Sequence, residues 1–361
     1  MQDIKDILEK SQREPLTIEE GEALFSSFDL LSLGIAADGF RKDAAGDPVT
    51  FVIDRNINYT NVCASGCKFC AFYRNKGAED AYVLSIEEIL EKVDEAVELG
   101  ATQILMQGGL NPELSIEYYE GMLKKTKKRF PSVQRHFFSP SEIKFIADIS
   151  KNSIKETLER LKEAGLQSIP GGGAEILDDR VRIEISPNKI DWKGWKEVMV
   201  TAHGLDLPTT ATMVYGLGET NEERVKHILR IREIQEKTGG FTAFIPWSFQ
   251  PEHTTLAKGR IQEFISTGID YLKVVAISRI LLNGTIKNIQ ASWVTQGANI
   301  AQVALTYGAN DFGGTMIEEN VVKAAGVDAQ YLAPERIVAC IKELGRPAAQ
   351  RDTLYRVLRK Y

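Results

Sequence analysis

From residue 51 onward, short apolar runs alternate with amphipathic, capped segments, and this alternation restricts the fold more than any other feature of the chain. The strand-like runs occupy 51–59, 102–107, 135–139, 167–170, 209–215, 241–247, 289–294 and 307–311. Between them, Ser85-Ile-Glu-Glu88 and Ser153-Ile-Lys-Glu156 have the spacing at which a Ser hydroxyl and a Glu carboxylate satisfy each other's orphan amides, so each opens a helix. Gly100, Pro131, Gly165 and Gly239-Gly240 end helices. Eight strands in this rhythm predict an α/β protein whose parallel sheet closes into a (β/α)8 TIM-type barrel; an open doubly wound sheet is the competing arrangement. Residues 1–48 read as an N-terminal helical extension, with a further capping pair at Thr17 and Glu20, and are expected to plug the barrel floor. Residues 49–361 read as the barrel with a helical C-terminal tail from Glu318, Pro334 marking a helix start.

Three of the four cysteines stand together in Cys63-Ala-Ser-Gly-Cys67-Lys-Phe-Cys70, and the fourth, Cys340, is remote. A structural zinc site takes four ligands, usually as two separated pairs, and no second pair exists here. None of His136, His203, His227 and His253 falls at a short ligand spacing from the three. Electron-transfer [4Fe–4S] clusters also use four thiolates. Three thiolates alone suit a [4Fe–4S] cluster with one iron open, the position that the amino and carboxylate groups of S-adenosylmethionine would chelate. The run resembles the signature of the radical S-adenosylmethionine (SAM) superfamily, C-x3-C-x-aromatic-C, with Phe69 in the aromatic slot.

Composition excludes several classes. A net charge of −6, with no dense Lys/Arg patch among aromatics, argues against nucleic acid as a partner. The start, Met1-Gln-Asp-Ile-Lys, lacks the apolar core of a signal peptide, and no run has the length of a membrane span. Few cysteines and an oxygen-sensitive cluster point to a reducing cytoplasm.

In a (β/α)8 barrel the working residues come from the C-terminal ends of the strands. The second strand ends in Gln107-Gly108-Gly109, which resembles the superfamily's glycine turn, where backbone approaches the methionine amino group. The third ends in Ser139-Pro140, which lines the adenosyl site in related enzymes. The fourth leads into Pro170-Gly-Gly-Gly-Ala-Glu175; no Gly-Lys-Ser/Thr follows, so it is not a Walker loop. Glu175 is a candidate acceptor for the ribose or ammonium of SAM, against the plainer reading of a carboxylate at a helix start. Trp247, Gln250, Trp293, Gln296, Asn310 and Asp311 follow on later strands and suit a flat, polar-edged substrate, although Asp311 beside Asn310 also fits a turn.

Longer stretches narrow the resemblance. Ile53-Asp-Arg-Asn-Ile-Asn-Tyr-Thr-Asn61, Cys70-Ala-Phe-Tyr-Arg74, Ile169-Pro-Gly-Gly-Gly-Ala-Glu-Ile-Leu177, Phe244-Ile-Pro-Trp-Ser-Phe-Gln-Pro-Glu252 and Gly308-Ala-Asn-Asp-Phe-Gly-Gly-Thr-Met-Ile-Glu-Glu-Asn320 are similar to the cyclic dehypoxanthine futalosine synthases of menaquinone biosynthesis. Aminofutalosine synthases and deazaflavin (F0) synthases are the neighbouring families. The resemblance implies Cys63, Cys67 and Cys70 as cluster ligands and Phe69, Gly108, Gly109, Ser139 and Glu175 around SAM. It also implies a reductant such as flavodoxin or ferredoxin and a small substrate, dehypoxanthine futalosine. A 5′-deoxyadenosyl radical would take hydrogen from the sugar C4′, and the carbon radical would close onto the benzoate ring. Asp311 is the candidate to accept the proton that leaves as the ring regains aromaticity. Two other classes stay open on residues alone: a zinc-stabilised binding barrel, and a barrel enzyme using Glu175 and Asp311 as acid and base.

Overall fold

The computed structural model describes residues 3–328 and 331–361. Strands β1 (Val49–Val52) and β2 (Asp54–Ile57) form one run interrupted at Ile53. β2 pairs in parallel with β3 (Gln103–Met106), and β3 with β4 (Gln134–Phe137). Parallel bridges from His136 to Ser168 and from Ile169 to Thr209 insert residues 168–169 between β4 and β5 (Thr209–Tyr215). β5 pairs with β6 (Phe241–Ser248) and β6 with β7 (Asn288–Ile289). A bridge from Gln290 to Asp311 leads to β8 (Asp311–Gly314), which pairs in parallel with β1. The ring of parallel pairs is closed. It is a (β/α)8 barrel and not an open sheet.

Local chemistry sets the outer layer. The capping boxes at Thr17, Ser85 and Ser153 form as the spacing predicts, and Thr220 with Glu223 makes another. Helix Ile86–Glu98 buries Ile89, Leu90, Val93 and Ala96, one stripe at helical spacing. Full burial stabilises each Ile or Leu by about 1.5–3 kcal/mol relative to exposure.

The barrel floor differs from expectation. The N-terminal helices Ile4–Ser11, Ile18–Ser26 and Leu30–Ala45 lie on the barrel's flank, against helices Asn221–Thr238 and Gly268–Leu281. Gly21 permits the approach: a Cβ there would stand 2.7 Å from Val225. The floor is closed instead from the C-terminus. After helix Pro334–Glu343, β9 (Ala348–Arg351) pairs in parallel with β1, and β10 (Val357–Lys360) folds back antiparallel on β9. The eighth strand also starts later than expected. Tyr307 to Asn310 form the turn into it, where Gly308 takes φ +103° beside Arg279, and Asp311 is the strand's first residue.

One buried histidine gives the fold a pH dependence. His227 is fully buried, and its Nδ1 accepts the Leu177 N–H at 2.9 Å. Burial, reinforced by Arg182, pushes its pKa down to about 3. The unfolded chain, with an ordinary His pKa of about 6.5, therefore binds a proton that the folded chain refuses. This contribution is complete above about pH 6.5 and is lost as pH falls toward 3. We expect the melting temperature of His227→Gln, whose amide oxygen can accept the same N–H, to fall less steeply between pH 7 and 5 than that of the parent. Parallel slopes would show that His227 does not contribute.

Candidate active site

Most (β/α)8 barrels fill their interior with Val, Ile and Leu. Here alternate positions pointing inward are polar: Asp54, Asn56 and Asn58 on the first strand, Gln103 and Gln107 on the second, Thr210 and Thr212 on the fifth. The interior is hollow, a lumen of about 360 Å³ with Val214, Ile245 and Trp247 of the fifth and sixth strands forming its apolar wall and Leu105 and Met316 adding single apolar groups elsewhere. Arg351, Thr353 and Tyr355 of the C-terminal hairpin region close its floor, and Cys63, Cys67 and Cys70 line it at the strands' C-terminal ends. Phe138, Glu175 and Met316, all at those ends, have φ of +67°, +40° and +48°. Backbone strain of this kind concentrates at working sites.

The cysteine loop is held from several sides. The Cys63 N–H donates to Arg74 O (3.0 Å), the Ala64 N–H to Leu110 O (2.9 Å) and the Lys68 N–H to Ile185 O (2.8 Å). The Arg74 guanidinium donates to the carbonyls of Ala71, Phe72 and Tyr73 at 2.9–3.2 Å and pairs with Asp80 at 2.6 Å. All four cysteines are free thiols. Burial raises the pKa of Cys67 and pushes that of Cys70 up to about 11, so iron binding must expel protons. Among the described residues no three Cys, His, Asp or Glu groups converge on one ion position.

The glycine turn packs directly beneath this loop. A Cβ at Gly109 would collide with the Val62 carbonyl and Cys63, and one at Gly108 with the Tyr59 ring. The donor set and the close backbone approach therefore fit a [4Fe–4S] cluster with SAM beside it. Ser139 caps helix Pro140–Ser150 and donates to Glu142 at 2.6 Å. Glu142 also accepts from the Tyr59 hydroxyl (2.7 Å) and the Gly108 N–H (3.0 Å), and burial pushes its pKa up to about 7. It ties the glycine turn to the third strand. Sequence reading missed it, although Ser139-x-x-Glu142 has capping-box spacing. Lys189 was missed too, for want of any local signal. Its ammonium lies 2.9 Å from Glu175 and 5.5 Å from the Phe69 ring centroid, joining the fourth-strand turn to the cysteine loop. Glu175 contacts Arg182 as well, at 3.4 Å.

The later strands contribute less than the sequence suggested. Trp247 lines the lumen. Gln250 and Gln296 do not: both donate to Ser248 Oγ, at 2.9 and 2.5 Å, and face a separate, more open hollow. Trp293 packs behind the eighth strand, its Nε1 donating to Gly314 O at 2.8 Å. Asn310 accepts from Arg279 (2.7 Å) and the Ile289 N–H (2.9 Å), bracing the starts of two strands. Asp311 is fully buried at the floor, where Arg351 grips it at 2.5 and 3.0 Å and Thr50 donates to it at 2.5 Å. Because the eighth strand begins at Asp311, the residue sits at the wrong end for catalysis. Its expected role as proton acceptor is corrected to that of a structural partner.

Residues 57–231 match the family described as the Radical SAM superfamily, and residues 238–360 match the CofH/MqnC C-terminal region. A cyclic dehypoxanthine futalosine synthase of Halalkalibacterium halodurans is 46% identical over 360 residues, 99% of this chain and 96% of the relative. The chain belongs to the radical SAM superfamily. A 5-amino-6-(D-ribitylamino)uracil–L-tyrosine 4-hydroxyphenyl transferase of Methanothermobacter thermautotrophicus is 47% identical over 355 residues, 98% of this chain and 97% of the relative. The crystal structure of methylornithine synthase shares the fold, with a TM-score of 0.74 at 16% identity over 95% of this chain and 96% of that one. As a radical SAM enzyme the protein uses a [4Fe–4S] cluster and SAM, which sets aside both the zinc-stabilised barrel and the acid–base barrel. Among the described residues no helix is long and apolar enough to cross a membrane.

Proposed function

We propose that this radical SAM enzyme cyclises dehypoxanthine futalosine, working in a reducing cytoplasm with electrons from a flavodoxin or ferredoxin. The observation that supports this most is the continuous lumen running from the three thiols to the hairpin floor, with polar side chains of the first and second strands across from Val214, Ile245 and Trp247 of the fifth and sixth. It suits one elongated substrate with a sugar half and an aromatic half, joined within itself. The Halalkalibacterium halodurans relative bears the name of that activity. The transferase reading has support in the methanogen relative of matching identity, whose printed name joins two separate molecules.

Cys63, Cys67 and Cys70 would hold the cluster, and Gly108, Gly109, Ser139 and Glu175 would hold SAM, with Phe69 covering the cluster. With both bound, they would supply a 5′-deoxyadenosyl radical able to remove hydrogen from the substrate's C4′. Trp247 and its apolar neighbours then hold the benzoate against the sugar, so that the carbon radical meets the ring rather than solvent. Ring closure, followed by loss of one electron to the oxidised cluster and its flavodoxin or ferredoxin partner and of one proton to solvent, would restore aromaticity.

The test is anaerobic turnover of the reconstituted enzyme with SAM and dithionite, read by mass spectrometry. With dehypoxanthine futalosine we expect a product lighter by two hydrogens and 5′-deoxyadenosine alongside it. Offered tyrosine and 5-amino-6-(D-ribitylamino)uracil, the enzyme should form no joined product. Coupling of that pair, with dehypoxanthine futalosine untouched, would decide for the transferase.

A further inference from the structure

Two residues lining the lower lumen, Asn56 and Thr353, each keep a buried polar atom without a partner, and Asp54 beside them keeps one weakly engaged carboxylate oxygen. Asp54 is 4% exposed. Its Oδ1 accepts the Met316 N–H at 3.0 Å, while Oδ2 has only a long 3.4 Å approach from Gln103 Nε2. Asn56, two residues on and therefore on the same strand face, donates its Nδ2 to Glu319 at 2.8 Å. That bond turns the amide oxygen away, and Asn56 Oδ1 is buried without a donor. Thr353 arrives from the hairpin region, 4% exposed, and its Oγ1 is also buried and unpartnered. All three residues line the lumen. A buried polar atom without a partner is destabilising, and native proteins rarely keep one that no ligand or water serves.

The charges around these atoms decide what kind of ligand they suit. Asp54 and Asp311 act on the Arg351 guanidinium, and Glu319 is a further buried carboxylate on the lumen lining. Arg351 commits Nε and Nη2 to Asp311 and Nη1 to the Asp352 carbonyl at 3.0 Å. A carboxylate brings only acceptors and negative charge, and would meet acceptors and negative charge. A run of hydroxyls brings donors.

We propose that Asp54, Asn56 and Thr353 form a hydroxyl-recognition subsite at the lumen floor, which holds the sugar hydroxyls of the substrate and leaves the benzoate to the apolar wall. This assignment rests on the substrate reading above and fixes the orientation that the reading leaves open. Anchoring the sugar from below presents C4′ upward, toward the cysteine end, with the ring beside it.

The experiment measures equilibrium binding to the reconstituted holoenzyme with SAM present and no reductant, so that nothing turns over. Probes are dehypoxanthine futalosine, its analogue lacking one sugar hydroxyl, and its analogue lacking the benzoate carboxylate. Proteins are the parent, Asp54→Asn and the near-isosteric Thr353→Val, whose hydroxyl carries no fold-holding bond. Each variant should weaken the full substrate by about tenfold, as loss of one buried hydrogen bond to a charged or enclosed group does. For at least one position of hydroxyl removal, that loss should disappear in the variant's background, while removal of the carboxylate should add to it in full. SAM affinity should not move. Unchanged affinity in both variants overturns the subsite, and coupling to the carboxylate instead means the benzoate occupies the floor. If the parent enzyme binds none of the probes, the substrate reading falls, and the subsite assignment falls with it.

Discussion

Replacing Asp311 with Asn should lower the unfolding free energy by about 3–5 kcal/mol, because it leaves the Arg351 guanidinium buried without its counter-charge. The pair is enclosed, Asp311 fully and Arg351 to 4% exposure, and it joins three elements: the start of β8, β1 through Thr50, and β9. Exposed ion pairs of similar length contribute only a fraction of this. The expected catalytic consequence is equally specific. Asp311 does not line the lumen, so loss of the pair should loosen the floor and reduce SAM cleavage and product formation in the same proportion. Denaturant unfolding gives the first quantity, and product and 5′-deoxyadenosine yields give the second. A double replacement, Asp311→Leu with Arg351→Met, should recover part of the stability, since apolar groups of similar volume leave no uncompensated charge. A variant that stays stable and cleaves SAM normally, yet fails to close the ring, would return Asp311 to the reaction.

The contrast between Asp311 and the cysteines shows what the sequence carried. The cysteine loop is local: its three ligand candidates lie within eight residues, so their proximity needs no tertiary information. The strand and helix alternation is local too, set by periodicity and caps. The floor is not. Ala348–Arg351 is a short run whose burial comes from pairing with β1, some three hundred residues earlier, and nothing nearby announces a strand. The eighth strand was misjudged for a related reason. Tyr307 to Asn310 look strand-like, but Gly308 and the Arg279–Asn310 bond fix them as a turn, and that bond reaches across to another helix. The polar lumen was written in the alternation Ile53-Asp-Arg-Asn-Ile-Asn58, whose inward positions are all polar. It reads as unusual only once the barrel is known to close around it.

Replacing any one of Cys63, Cys67 and Cys70 with Ala should abolish both the cluster and SAM cleavage. The reason is stoichiometric: three thiolates already leave one iron open, and a second open iron removes the anchorage that holds the cluster in the loop. Changes to groups that merely orient a metal ligand cost roughly 10–100-fold in affinity or activity, and loss of a ligand itself must exceed that. The loop itself should survive, because Arg74 and the amides of Cys63, Ala64 and Lys68 hold it by backbone bonds that need no thiol. Thermal unfolding of the metal-free variants should therefore match the metal-free parent, while iron and sulfide content after anaerobic reconstitution falls to background. Cys340→Ala supplies the internal control. Cys340 is buried in helix Pro334–Glu343 and lies outside the lumen, so that variant should bind iron and cleave SAM like the parent. Retention of a full cluster with SAM cleavage in Cys63→Ala, Cys67→Ala or Cys70→Ala would mean that a group outside the loop ligates an iron, and the lumen wall at Glu142 and Lys189 would have to be read again with that group in it.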